Sequence, residues 1–227
     1  MNTALSTPSP SVTRTLRPSP AIAFAVLLVA LAARLAFAAW EQYAGSVTYD
    51  ELHGFGGAYW PLNLLVFGPA YAIGFVAQAF LVWQLGRGRA RGLTGAGGAF
   101  LLGGGVVFAL AGTAHALPFD WAANHGILPE ATGRDVVAAF DGAGTPMLVP
   151  YLVGTQALIA LGALATVVGA RLSRTIPTWL LVATLVVLAA IAVPIPFGSV
   201  GRILVSSAQA VLWAMLGWFG WRAGRLA

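Results

Sequence analysis

The sequence predicts an all-α protein, a polytopic bundle of six transmembrane spans with its N- and C-termini cytoplasmic. Three observations predict it. The 227-residue chain is 59% hydrophobic and 8% charged, with a mean hydropathy of +0.83, whereas a soluble domain is about 45–50% apolar and about 25% charged. Its apolar residues fall into six long runs separated by short polar or proline-rich connections. Its charges sort by sign onto alternate connections, as membrane orientation requires.

The opening MNTALSTPSPSVTRTLRPSP is rich in Ser, Thr and Pro and has no apolar period, so residues 1–20 are expected to form a disordered cytoplasmic tail. AIAFAVLLVALAARLAFAAW follows over 21–40, long enough for a helix to cross a hydrocarbon core of about 30 Å. Further spans are expected near 61–85, 95–117, 146–170, 178–193 and 203–221, making one domain of 21–227. Pro118 should end the third span, and Pro194 and Pro196 the fifth and shortest, because proline lacks a backbone donor and biases its predecessor away from helix. A second reading of the first span is open. Arg14, Arg17, an apolar run and then Ala36-Phe37-Ala38 resemble a signal peptide, and cleavage would leave five spans, although Arg34 interrupts the run just before the site.

With six spans, one side receives Arg14, Arg17, Arg87, Arg89, Arg91, Arg171, Arg174, Arg222 and Arg225 and no acidic residue. The other receives Glu41, Asp50, Glu51, Asp120, Glu130, Asp135 and Asp141, with Arg134 and Arg202. Arginine near span ends marks the cytoplasmic face. A missed span would scramble this order, since each later loop would change sides.

The inventory excludes several chemistries. Without Cys there is no thiolate nucleophile, disulfide or Cys-ligated metal, and without Lys there is no Schiff base or Lys-dependent phosphate loop. The net charge of +5 and pI near 10.4 come from arginines scattered between apolar runs, which points to orientation in a lipid bilayer and not to nucleic acid. The Ala, Gly and Arg bias suits a GC-rich bacterial genome, so the expected home is the bacterial cytoplasmic, or inner, membrane.

Two sets of polar residues are candidate sites. His53, His115, His125, Asp50 and Asp120 all fall on the outer face, the residue types that hold a divalent metal. Their spacing matches no strong signature, there being no H-E-x-x-H. Asp120 is expected to cap a single turn ending at His125. The second set lies within spans. Arg202, Ser206, Gln209 and Trp213 are spaced by four, three and four and share one helix face; Thr155, Gln156, Asn63 and Gln78 are available to meet them. Arg34 lies six residues before Trp40, about 9 Å of helix rise from the outer end, with Glu41 on the same side as an expected partner. Arg34, Gln156, Arg202, Ser206 and Gln209 are the candidate ligand-binding residues. In the third span Gly98, Gly105, Ala109 and Gly112 make a stripe of small residues that admits a close neighbour. Trp40, Tyr59, Trp60, Trp121, Trp179, Trp218 and Trp221 stand at span ends as an aromatic belt, and RDVVAAFD in an outer loop reads as a short interfacial helix.

Six Ala-, Leu- and Gly-rich spans, a glycine-rich third span and the ending AVLWAMLGWFGWRAGR resemble small uncharacterised bacterial multi-pass membrane proteins, among them the DUF4386-like group. That resemblance implies a fold and carries no activity. Membrane hydrolases similar to alkaline ceramidases use Ser, Asp and three His around zinc, but their H-x-x-x-H pair is missing here. The expected function is therefore binding or transport of a small molecule, ion or lipid, or an accessory role beside another membrane protein, through a polar cavity in the outer half. The alternative is a metal-dependent membrane hydrolase in which Glu51 or Asp120 serves a metal-bound water as general base.

Overall fold

Helix boundaries follow local chemistry. The Ser19 hydroxyl accepts from the Ala21 amide at 3.2 Å and Pro20 takes the first helical position, where a missing N–H costs nothing. Thr48 and Glu51 form a reciprocal capping box before a short helix. At the other extreme Arg174 takes a left-handed conformation (φ 55°) and the Thr175 amide returns to the Ala170 carbonyl at 3.0 Å, closing a helix C-terminus.

A computed structural model describes residues 19–41, 48–124, 126, 128–141, 145–192 and 198–226, with backbone alone at 145–149, 152, 192, 198, 199 and 202. The elements are α1 (Pro20–Trp40), α2 (Tyr49–Gly54), α3 (Tyr59–Leu62), a π-helical turn (Asn63–Phe67), α4 (Gly68–Trp83), a 3₁₀ turn (Gly88–Ala90), α5 (Arg91–Asn124), α6 (Glu130–Ala139), α7 (Thr145–Leu172), α8 (Thr178–Ala192) and α9 (Gly198–Arg225). No strand occurs among the described residues. The expected N-terminal tail and His125 lie outside them.

Among the described residues five helical segments are long and apolar enough to cross a membrane: Pro20–Trp40, Tyr59–Trp83, Gly88–Asn124, Val153–Leu172 and Ile203–Arg225. α8 is apolar but has 15 residues, a rise of about 22 Å. The outward surface is strongly apolar: Ile22, Val29, Leu65, Leu110, Val186 and Leu204 are all more than 60% exposed. That much open hydrocarbon belongs against lipid, not water.

The third long helix departs from the sequence expectation. Pro118 does not end it; α5 runs on to Asn124. Proline removes one internal hydrogen bond, but Phe119, Ala122 and Ala123 are buried just beyond it, packed with Leu52, Tyr59 and Val137. Tertiary burial thus holds the last turns helical, and Asp120 sits inside the helix instead of capping a new one.

Glycine sets the spacing of the central helices. Adjacent helical residues lie about 100° apart, so the pairs Gly97–Gly98 and Gly104–Gly105 present one glycine to each of two neighbours. A Cβ on Gly98 would meet the Ala79 carbonyl at 3.2 Å, and one on Gly105 would enter the Phe75 ring, both on α4. A Cβ on Gly97 would come within 2.8 Å of the Gly162 carbonyl, and one on Gly104 within 2.9 Å of the Thr155 carbonyl, both on α7. Without lipid-excluding hydrophobicity to drive association, such backbone approach is a main source of helix adhesion. The stripe continues as expected through Ala109, 2% exposed, to Gly112 beneath the Phe67 ring. The second face, toward α7, was missed in the sequence although Gly97 and Gly104 repeat the seven-residue spacing.

Both ends of the stack are tied. At one, Phe24 of α1 stacks on Trp221 of α9 at 5.7 Å, the Arg87 amide donates to Ser173 Oγ, and Thr175 Oγ1 donates to the Leu85 carbonyl. Arg87, Arg89, Arg91, Arg171, Arg174, Arg222 and Arg225 belong to this basic end. At the other, Trp40 packs on Phe55 at 4.6 Å, and α2 and α6 pack on the last turns of α5. Asp50, Glu51, Asp120 and Glu130 gather here, with Tyr59 buried under the Phe55 ring as core and not as part of an exposed belt.

Gly105→Leu and Gly97→Leu should each destabilise the purified protein by about 1–3 kcal/mol, the usual cost of overpacking. Gly103→Leu should melt with the wild type, since its Cβ direction is open. Equal melting temperatures for all four proteins in detergent would show that these faces do not touch.

Candidate functional site

Between the acidic-end halves of the long helices lies a cavity of about 560 Å³. Tyr71 and Phe75 on α4 and Phe108 on α5 form one wall. The other walls come from α7 between Val153 and Ala163, α8 between Val187 and Ile191, and α9 between Val205 and Trp213.

Arg34 enters this cavity from α1. Its Nη2 donates to Gln209 Oε1 at 3.0 Å, and its guanidinium lies 3.9 Å from the Tyr71 ring centroid. The spacing had suggested a turn toward Glu41; the guanidinium instead joins α1 to α9 across α4. Stacking on an aromatic face contributes about 0.5–2 kcal/mol to holding such a cation away from bulk water, and the Gln209 bond holds one of its hydrogens. Gln156 and Ser206 also line the cavity, so four of the five residues singled out as ligand-binding share it. Arg202 stands on the first turns of α9, and its side chain lies outside the described ones.

Other polar residues go elsewhere. Thr155 is buried toward α5, and Asn63 Nδ2 donates to the Tyr59 carbonyl at 2.9 Å within the π-turn region. Gln78 is 1% exposed with both amide atoms unpaired among the described residues, but it does not line the cavity. Trp213 does line it, and its Nε1–H is buried without a partner among the described residues.

The described metal candidates are Asp50, His53, His115 and Asp120. Asp50 takes a bidentate pair from Arg134 at 2.6 and 3.0 Å, while Arg134 also donates to Glu130 and lies over the Tyr49 ring. His53 Nδ1 is 3.0 Å from the Ala123 carbonyl, and must donate, because a carbonyl only accepts. Asp120 accepts from Asn124 Nδ2 at 3.1 Å, and the same amide donates to the Leu52 carbonyl. His115 sets its ring edge against Phe119, its Nδ1 buried without a hydrogen bond among the described residues. Among the described residues no three His, Asp or Glu side chains gather closely enough to hold a metal ion. These contacts instead lock α2 and α6 onto the end of α5. The Thr-x-x-Glu of Thr48 to Glu51 was the sequence signal for α2, and the amphipathic Glu130–Ala139 with Val137 buried matches the short helix expected there.

The fold is an all-helical one whose long helices are apolar enough to cross a membrane, as in a multi-pass membrane protein. Comparison with protein-family models, with curated proteins and with solved structures returned no match to this chain.

The Arg134 guanidinium, hydrogen-bonded to Asp50, holds that carboxyl below its ordinary value of 3.8, with the charges of Arg134 and His53 adding to the effect. Its share of stability is therefore complete above that ordinary value and drains away as pH falls through the lowered one. Amide exchange of α6, corrected for intrinsic chemistry, should accelerate as pH drops below 4, and Asp50→Asn should bring the faster exchange to neutral pH. No dependence on either change would mean that the pair does not hold α6.

Proposed function

We propose that the protein is a six-span integral membrane protein of the bacterial cytoplasmic membrane, with both termini cytoplasmic. It binds a small ligand in the Arg34 cavity, in transport or as the accessory of another membrane protein. One observation carries this reading: α1 and α9 are joined by Arg34 and Gln209 on the wall of a cavity lined by six helices. An arginine within a span is costly, and where it meets a cavity it marks a ligand path by default. A volume near 560 Å³ falls within the range of about 300–1,000 Å³ usual for ligand sites.

The sixth span in this reading is α8. It is some 8 Å shorter than a hydrocarbon core of about 30 Å, a mismatch that local thinning accommodates. The separation of a basic end from an acidic one supports the orientation, since arginines collect on the cytoplasmic side.

The chain's lack of cysteine makes single-cysteine labelling clean. An impermeant maleimide should label Ala131→Cys in cells whose inner membrane is intact, and Gly92→Cys only after lysis. Labelling of Gly92→Cys in intact cells would overturn the topology. For the cavity, Ala160→Cys should react with a small neutral thiol reagent at least tenfold faster than Ala170→Cys, which lies in the core of the same helix. Equal rates would contradict an accessible cavity.

A further inference from the structure

We infer that the cavity takes an amphipathic anion drawn from the membrane, with a carboxylate or phosphate head on Arg34 and its apolar chain between α7 and α8. This rests on the ligand-binding reading above and adds the chemistry of the ligand.

Charge comes first. Arg34 is the one charged residue lining the cavity among those described, and no Asp or Glu lines it. A guanidinium has five N–H donors, and one described bond, to Gln209, uses one of them. In a low-dielectric setting a cation without a facing carboxylate is stabilised strongly by an anion that it can hydrogen-bond bidentately.

The remaining polar groups point the same way. Gln209 Oε1 is engaged by Arg34, which leaves that amide's two N–H donors. One turn further along α9, Trp213 lines the cavity and is 97% buried, and its indole N–H has no acceptor among the described residues. A buried donor left unpaired costs about 1–3 kcal/mol. A carboxylate or phosphate head accepts only, so it answers both the unpaired N–H and the open guanidinium. A cationic or donor-rich ligand answers neither.

The body of the ligand follows from the other walls. Val153, Ala157, Ile159, Val187, Leu188 and Ile191 line the cavity with hydrocarbon. Val153 is 58% and Ile191 38% exposed, so the α7 and α8 walls leave open hydrocarbon at the cavity. A ligand that enters there partitions first into acyl chains.

Full-length protein in neutral maltoside micelles, at alkaline pH where the acid is ionised, should bind dodecanoate at least tenfold more tightly than dodecanol by calorimetry. Dodecyl phosphate should behave as dodecanoate, and millimolar acetate or inorganic phosphate should not compete. Arg34→Gln should bring dodecanoate down to the affinity of dodecanol, and Ala160→Trp, which fills the cavity from α7, should abolish binding of both. If Arg34→Gln does not fold, the tenfold preference in the wild type and its loss in Ala160→Trp decide the matter. Equal binding of dodecanoate and dodecanol, both lost in Ala160→Trp, would leave a ligand site and overturn the anion. Acetate or phosphate binding as tightly as dodecanoate would overturn the membrane source. No binding of any probe would overturn the ligand-binding reading itself.

Discussion

Two pairs of adjacent glycines, seven residues apart on α5, are the constraint from which the architecture follows. Gly98 brings the α4 backbone close at Ala79, Gly105 receives the Phe75 ring, and Gly97 and Gly104 bring α7 to backbone contact. Within lipid the hydrophobic effect does not favour one apolar helix face over another, so close approach must supply the attraction. α7 contributes Gly162 in return, where a Cβ would lie 2.8 Å from the Leu101 amide. On α9, Gly220 sits against the Leu81 backbone of α4 and Gly217 against Leu27 of α1. The bundle is thus a chain of glycine seams running out from α5.

The cavity lies beside those seams and shares residues with them, Phe75 at Gly105 and Ile159 at Gly104. Beyond Gly105 the α5 wall toward the cavity is Phe108, and α4 presents Tyr71 and Phe75. Bulky rings hold the helices apart, and Arg34 lies over one of those rings. The cation is therefore held by aromatic stacking and an amide instead of a carboxylate lining the same space. Structure and chemistry meet at that point, because the spacing that leaves room for a ligand also leaves the guanidinium turned toward that room. At the acidic end, by contrast, carboxylates and histidines serve attachment: Asp50 with Arg134, His53 with Ala123, and Asp120 with Asn124.

Much of this was legible in the residues themselves. Apolar run length placed the long helices, and spacing by four and three put Ser206, Gln209 and Trp213 on one face of α9. Periodicity tells which residues share a face and not which helix that face meets, so of the polar residues available to meet the α9 face Gln156 lines the cavity while Asn63 and Gln78 lie elsewhere. The same limit concealed the second glycine face of α5. Pro118 was read as a stop because local propensity was weighed without the buried Phe119, Ala122 and Ala123 that hold the helix beyond it. Histidine and carboxylate composition suggested a metal; among the described candidates Asp50 pairs with Arg134 and His53 with the Ala123 carbonyl, and no three His, Asp or Glu side chains gather.

The central claim is that Arg34 is the anchor of a ligand-binding cavity. An experimental structure of the protein in lipid nanodiscs, prepared without added ligand, tests it most directly. The account predicts elongated density running between α7 and α8, ending in a head within hydrogen-bonding distance of the Arg34 guanidinium and the Trp213 indole N–H. Side chains of the protein filling that space, with a carboxylate of its own paired to Arg34, would contradict it.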